Sequence, residues 1–415
     1  MASAFLGMRV LRAGTAAVGL LACAGQASAG GFANGEQSTV FLGSARAGAA
    51  AGGSLGSMYW NPAATAALPG MNSESSYTLI LPNGEVTVTG VNGGPFPPSS
   101  SGEIGIDALV SGSYGSYQLS ENAWVGVAVN SPFGLATKPE NNNYFGSVLG
   151  RTTKLLTMNV NPTLAYKVAP GITIGGGAQI EYARGKFSFA TGSPVGPSTI
   201  FKGDDYAFGA TAGILVEPAA GTSIGLGWRS ALSHELDGHF SSFSPLGPFT
   251  VGAKADVDLP DIVSLSFRQA LAPNMRLMGT VEWTNWSRFQ DLTVHLAPAG
   301  TLSLPANWVD GWFYSIGGEF DYSPDLTLRA GVAYETSPVD APSKRFTSIP
   351  DNDRVWLSLG GSYKYSEATT IDFGYSHLFV KDSEFARSPV GSPIVISGTV
   401  DASVDLVSLG VRTRW

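Results

Sequence analysis

The feature that most restricts this chain is a period of two. From Leu156 to Tyr166 one set of alternate positions reads Leu156, Met158, Val160, Pro162, Leu164, Tyr166, and the set between reads Thr157, Asn159, Asn161, Thr163, Ala165. Only an extended strand sends successive side chains to opposite faces in this way. The pattern recurs at Ile172–Tyr182, Leu326–Tyr334, Ile371–Tyr375 and Val407–Val411. In a soluble sandwich the second face would be wet and rich in Lys and Glu. Here it is mostly Gly, Ser, Thr and Asn, which suits strands with lipid on one side and a lumen on the other. Composition agrees: charged residues make up 13% of the chain and Gly numbers 53, against about 25% charged in soluble domains. No apolar run after residue 30 approaches the roughly 18–20 residues of a membrane helix. A membrane β-barrel is the expected fold, and a Gly-rich secreted β-protein is the alternative.

Fourteen strands are expected, near 74–82, 108–117, 122–131, 155–167, 171–187, 203–217, 221–235, 251–270, 274–289, 312–322, 325–336, 353–365, 368–380 and 402–415. The number is even, as in bacterial barrels. The connections alternate in length. Tight turns such as Val168–Pro170, Ser323-Pro324 and Ser366-Glu367 are separated by long stretches at 83–107, 132–154, 188–202, 236–250, 290–311, 337–352 and 381–401. Short periplasmic turns and long external loops are what outer-membrane barrels use. Trp283, Trp286, Trp308, Trp312, Tyr363 and Tyr365 sit near strand ends, where interfacial girdles place aromatics. The terminal Trp415 is expected to be read by the outer-membrane assembly machinery.

The first residues read as an export signal over 1–29. Arg9 and Arg12 are followed by the apolar stretch Ala13–Ala24 and the small-x-small site Ala27-Ser28-Ala29, so the mature chain is expected to start at Gly30. Cys23 lies in that segment, which leaves no mature thiol for a disulfide, a metal or catalysis. Leu20-Leu21-Ala22-Cys23 loosely resembles a lipoprotein box, the lesser alternative. Residues 30–72 do not alternate and are rich in Ala and Gly. Too short to fold alone, they are expected to plug the lumen of a barrel formed by 73–415. The net charge of −8, with no basic run, speaks against nucleic-acid binding.

Several short blocks stand out: Gly31-Phe32 with Glu36-Gln37 and Gly43-Ser44-Ala45; Tyr59-Trp60-Asn61-Pro62-Ala63; Ser131-Pro132-Phe133-Gly134-Leu135-Ala136-Thr137; Asn161-Pro162-Thr163-Leu164-Ala165-Tyr166-Lys167; Leu259-Pro260-Asp261; Leu328-Arg329-Ala330-Gly331; Ser337-Pro338-Val339; and Ile349-Pro350-Asp351. Together they resemble the FadL family of outer-membrane long-chain fatty acid transporters, which also includes carriers of aromatic hydrocarbons. The resemblance runs over essentially the whole mature chain and departs mostly in the long loops. It implies a monomeric fourteen-stranded barrel closed by an N-terminal hatch. It also implies ligand capture in an external groove, transfer to an internal pocket, and lateral exit at a kink in the third strand.

The residues allow roles to be assigned to that route. A greasy groove gains roughly 0.8 kcal/mol per methylene buried, so Phe187, Phe189, Phe201, Phe240, Phe243, Leu246 and Phe249 in the loops 188–202 and 236–250 are expected to capture the ligand. The bland reading is that these rings pack on one another. Pro132 and Gly134, flanking Phe133, are expected to break the third strand; alternatively Pro132 only ends it. Asn61-Pro62-Ala63 is expected to anchor the hatch, and Phe32 to reach the internal pocket. Charges on the polar parity are Glu181, Arg229, Arg268, Glu282, Glu319, Arg329, Arg412 and Arg414. Arg229 and Arg329 are the candidates to hold a carboxylate bidentately, against the simpler reading of structural pairs.

No cofactor and no metal is expected, and without a nucleotide motif transport should be passive. An outer-membrane hydrolase would need a nucleophile beside a base. None of His234, His239, His295 and His377 sits in a Gly-x-Ser-x-Gly setting, and His234 and His239 are expected to be solvated near an external loop. A general porin is a further alternative, opposed by the hatch and the Phe-rich loops. On cargo, an aromatic hydrocarbon is the alternative to a fatty acid.

Overall fold

The computed structural model describes residues 30–298 and 300–415. The export-signal reading and Cys23 fall outside them. Fourteen strands close into one antiparallel ring. In chain order they are β1 (Met71–Val91), β2 (Gly94–Glu103 and Ala108–Gln118), β3 (Ala123–Asn130 and Gly134–Thr137), β4 (Thr153–Ala169), β5 (Ile172–Ala190), β6 (Ser198–Ala219) and β7 (Thr222–Arg229 and Leu232–Ser244). Then follow β8 (Gly247–Leu259 and Ile262–Ala272), β9 (Met275–Thr284 and Asp291–Leu296), β10 (Gly300–Pro305 and Gly311–Ser323), β11 (Leu326–Glu335), β12 (Arg354–Lys364), β13 (Thr369–Val380 and Ser383–Arg387) and β14 (Ile396–Arg414). Each pairs with its sequence neighbours, and β14 closes on β1 from Asn72↔Arg414 to Val91↔Ile396. Closure leaves no strand at an open sheet edge, so ladder groups find partners without water except where the β2–β3 pairing lapses.

The two parities go where the period of two requires. Leu164, Ile174, Phe208, Leu359 and Leu409 stand exposed on the outer wall. Asn159, Asn161, Thr211 and Ser408 face inward and are buried. Pro162 lies on the outer face opposite Val127 of β3, at a gap in the β4–β5 register between Val160 and Thr163.

Four expectations need correction. The stretches 83–107, 188–202, 236–250, 290–311 and 381–401 are largely not loops. The strands run on into them, and the β7–β8 hairpin turns only at Pro245-Leu246. Apolar alternation fades where neither face touches lipid, while ladder hydrogen bonds continue, so the pattern ends before the strand does. Second, the strand expected over 251–270 breaks at Pro260-Asp261, where proline offers no ladder donor. Third, Trp286 and Trp308 are buried rather than part of a girdle, because both lie where β9 and β10 leave the sheet; Trp312, Tyr363 and Tyr365 are exposed. Fourth, His234 is buried, its Nε2 3.4 Å from Glu181 Oε1 and its Nδ1 3.3 Å from Asp205 Oδ2; His239 is exposed.

The segment from Gly30 to Gly70 lies within the ring. It contains a helical turn (Thr39–Leu42) and two 3-10 turns (Leu55–Tyr59 and Pro62–Ala66). Its backbone touches the wall at glycines. A Cβ added to Gly225 or Gly227 would collide with the carbonyl oxygens of Ala50 and Trp60 respectively. The small inward face is therefore a seat for this segment as well as a lining. Polar side chains complete the fit. Gly48 N donates to Thr280 Oγ1 (3.0 Å) and Ala50 N to Ser266 Oγ (3.0 Å), and Arg46 forms a buried ion pair with Glu282.

Candidate functional site

The largest aromatic assembly inside the ring draws on four distant parts of the chain. Phe32 comes from the N-terminal segment and Phe133 from the break in β3. Trp286 and Phe289 come from the break in β9, and Trp308 from the break in β10. Phe32 packs edge-on against Trp286 (4.7 Å between ring centroids), Phe289 (5.4 Å) and Phe133 (6.3 Å), and is tilted at 5.8 Å from Trp308. Edge-to-face pairs at such distances add to simple burial. Breaks in three strands let these rings turn inward, where regular pleating would send every second one to lipid.

Beside this cluster the wall itself is interrupted. β2 and β3 pair from Ser113↔Val129 to Gln118↔Trp124. They meet again only at the bridge Gly105↔Thr137. Between those points the β3 segment Gly134–Thr137 pairs with β4 alone. The N-terminal segment covers this window from inside. Asn34 N donates to Pro132 O (2.8 Å) and Gly134 N to Phe32 O (2.9 Å). Asn34 Nδ2 and Gln37 Nε2 both donate to Ser131 O, at 2.9 and 2.8 Å. Tyr114 Oη on β2 donates to Gln37 O (2.9 Å).

Asn61 caps the 3-10 turn Pro62–Ala66 by accepting from Ala63 N (3.0 Å). Its Nδ2 donates to Ala50 O and to Ile214 O on β6, each at 2.9 Å. Asn61, Pro62 and Ala63 are all buried, so this turn is tied both to its own segment and to the wall. Glu36, in the same N-terminal segment, is buried, and its Oε2 has no hydrogen-bond partner. Burial pushes its carboxyl up to about 7, against the partial pull of Arg46.

The Phe-rich hairpins divide. Phe187 and Phe201 stack (5.0 Å), and with Phe240 they join the same internal apolar cluster as Phe32. Phe189 lines a cavity of about 70 Å³ beneath the outer hairpins, with Phe187, Phe289, Phe346 and Arg387 also on its wall. Phe243, Leu246 and Phe249 stand exposed at the tip of the β7–β8 hairpin, away from that cavity's lining.

The two selected arginines are already engaged. Arg329 Nε donates to Glu319 Oε1 (2.7 Å) and its Nη1 to Ser362 Oγ (2.6 Å), and Arg268 and Arg276 share the same Glu319. Arg229 donates to Gln179 Oε1 (2.7 Å) and Tyr59 O (3.2 Å), and its guanidinium lies 4.5 Å from the Tyr59 ring centroid. Neither lines the cavity that holds Phe187 and Phe189. Sequence reasoning missed Arg387, which does. Its guanidinium sits 4.1 Å from the Phe346 ring centroid and donates only to carbonyls, those of Ser343 (3.0 Å) and Pro305 (2.8 Å). Among the described residues no carboxylate lies in ion-pair range of it. Arg387 stood in a stretch read as loop, so no parity marked it. At the opposite end Trp415 Nε1 donates to Ser73 Oγ (3.1 Å).

Residues 20–415 match the family described as outer membrane protein transport protein (OMPP1/FadL/TodX). A long-chain fatty acid transport protein of Escherichia coli O6:H1 is 29% identical over 87% of this chain and 90% of its own length. The 47 kDa outer membrane protein of Pasteurella multocida is 29% identical over 95% of this chain and 96% of its own. Among solved structures, a Pseudomonas aeruginosa FadL homologue superposes with a TM-score of 0.82 at 21% identity, covering 92% of this chain and 99% of that one. The P. putida toluene transporter TodX superposes with a TM-score of 0.67 at 16% identity, covering 92% and 99%.

Proposed function

The chain belongs to the OMPP1/FadL/TodX family of outer-membrane transport proteins, and from that premise we propose that it admits long-chain fatty acids passively to the periplasm. It is an outer-membrane barrel that transports hydrophobic compounds. The finer reading is that ligand is gathered by the exposed apolar tip of the β7–β8 hairpin. It then enters the cavity lined by Phe187, Phe189 and Phe289, displaces Phe32, and leaves sideways through the β2–β3 window.

One observation carries this reading: the ring that closes the aromatic cluster and the backbone that covers the window belong to the same few residues. Phe32 packs on Trp286 and Phe289, and its carbonyl and the next residues bond to Pro132 and Gly134. A ligand that takes the place of the Phe32 ring therefore pulls on the bonds at the window. Two points favour a carboxylate-bearing ligand: Arg387 at the wall of the cavity, held only by the carbonyls of Ser343 and Pro305 and suited to a carboxylate, and relatives described as long-chain fatty acid transporters. The second reading is a monoaromatic ligand, which the aromatic lining of the same cavity suits equally.

The test is uptake of labelled oleate against toluene in cells lacking their own carriers. Oleate uptake that depends on this protein supports the proposal. Toluene uptake without oleate uptake overturns it in favour of the second reading.

A further inference from the structure

On the outer wall, cations line up across the external ends of β4, β5 and β6. Lys154 is directly opposite Lys186, and Lys186 is directly opposite Lys202. Lys202 in turn faces His239 of β7. Directly opposed residues share a face, and Lys202 and His239 are exposed, so the row points away from the lumen. Lys138, two residues beyond the partner of Lys154, joins Lys154 and Lys202 in electrostatic reach of the Lys186 ammonium.

Like charges directly opposite each other weaken a strand pair. Two such pairs in succession leave a local excess of positive charge that an external anion would offset. The protein supplies none close by: among the described residues, Lys138, Lys154, Lys186 and Lys202 form no ion pair. Elsewhere on the same outer wall a lysine has its acid, as Lys254 has Glu235. The next row inward, Arg184, Asp204 and Asp237, carries both signs, and neither of its carboxylates forms an ion pair with these lysines.

Height fixes the kind of anion. Two rows inward lies the tyrosine pair Tyr182–Tyr206 (ring centroids 5.0 Å), outward-facing and opposite Met158, as an interfacial belt requires. Beyond it the outer face is apolar down to Ile172. The lysine row stands four residues, roughly 13 Å of strand, above the tyrosines. That is the depth of lipid headgroups, and lysine stems reach a further few ångströms along the wall.

We propose that Lys154, Lys186 and Lys202, supported by Lys138, form a binding site for the phosphate groups of a phosphorylated lipid of the outer leaflet. Its acyl chains would lie against the outer wall below Tyr182 and Tyr206. The site is separate from the transport route and does not depend on the choice of cargo.

The test uses the full mature protein in neutral detergent, titrated with a phosphorylated glucosamine-based glycolipid and followed by native mass spectrometry. A dephosphorylated glycolipid, phosphatidylcholine and inorganic pyrophosphate serve as parallel probes. The triple variant Lys154→Gln, Lys186→Gln, Lys202→Gln is expected to lose retention of the phosphorylated lipid about a hundredfold, at roughly one factor of five per lysine. Lys364→Gln, at the opposite end, is expected to change nothing. In lipid-free detergent the triple variant should unfold no earlier than the parent, because a repulsion has been removed. Equal retention by parent and triple variant overturns the proposal. So does equal binding of the dephosphorylated lipid, or pyrophosphate bound as tightly as the lipid, which would make this an adventitious ion only.

Discussion

The seating of the N-terminal segment is expected to depend most sharply on Asn61. Its side chain makes three hydrogen bonds: buried ones in which it accepts from Ala63 N at 3.0 Å and donates to Ala50 O at 2.9 Å, and a partly buried one to Ile214 O at 2.9 Å. Asn61→Ala deletes all three and leaves the Ala63 N–H without its cap. At about 0.5–1.5 kcal/mol net for each bond, the loss is about 2–4 kcal/mol. A released segment is too short to keep its own turns, so all three bonds are lost on unseating and the unseated population rises about 30- to 1,000-fold. Only the contact to Ile214 spans segment and wall, so the ring of strands should stay intact. Limited proteolysis of the folded protein in detergent reads the unseated population directly when closing is faster than cleavage. Nicking within residues 30–70 is expected to accelerate by that factor, while the heat-modifiable migration of the barrel is unchanged. Asn61→Ser keeps a cap acceptor but cannot reach Ile214, so it should fall between. If the Ala variant is nicked no faster than the parent, these bonds do not hold the segment and the reasoning fails.

Gly227→Val places a side chain where the Trp60 carbonyl now lies, so the segment should seat poorly; planar-bilayer conductance should rise above that of the parent. Phe32→Ala removes the ring shared by Trp286, Phe289 and Trp308 and is expected to weaken oleate binding in a fluorescence displacement titration; unchanged affinity would remove Phe32 from the route. Arg387→Ala should lower oleate uptake and leave toluene entry alone, whereas a parallel fall in both would assign Arg387 to loop structure. The Glu36 carboxyl, pushed up to about 7 by burial, is neutral when seated and ionised when free above its ordinary value of 4.5. Seating is therefore fully favoured below about pH 4.5 and loses strength as pH rises to about 7. Proteolytic nicking should speed up across that window in the parent and stay flat in Glu36→Gln.

The ring was legible because lipid forces one chemistry onto every second residue. Ile172, Ile174, Ile180 and Tyr182 face out while Thr173, Gln179 and Glu181 face in, and the tight turns at the other end fix where strands stop. Above the bilayer that force ends. The hairpin around Pro245 keeps its ladder from Leu232↔Leu259 to Ser244↔Gly247, yet nothing in its composition separates strand from loop. The glycines were legible as small but not as a seat, since Gly225 and Gly227 lie far along the chain from Ala50 and Trp60 whose carbonyls they admit. The aromatic cluster was least legible. It needs the breaks in β3, β9 and β10 to turn Phe133, Trp286 and Trp308 inward; Pro132 and Pro305 stand at two of these breaks, but a proline does not say which ring turns inward, and the break in β9 has none. Arg229 and Arg329 were selected on parity alone, which marks the inward face but cannot tell a free guanidinium from one already held by Gln179 or Glu319.

A break in a barrel wall is costly because the strand that leaves the ladder strands its own backbone groups, and a lipid-facing wall offers no water to satisfy them. Here the N-terminal segment supplies the partners. Pro132 O takes the Asn34 amide, Gly134 N gives to Phe32 O, and Ser131 O takes two side-chain donors. Withdrawing the segment leaves three backbone groups of the wall without these partners, Ser131 O, Pro132 O and Gly134 N, each costing about 1–3 kcal/mol if left unmet. On the proposed route the ligand must offset that cost, and burial of an acyl chain at roughly 0.8 kcal/mol per methylene can do so only when the chain is long. Length, then, should set the threshold for exit. Uptake should rise steeply between medium- and long-chain acids of equal headgroup. A flat dependence on chain length would mean that the window opens without the ligand's help.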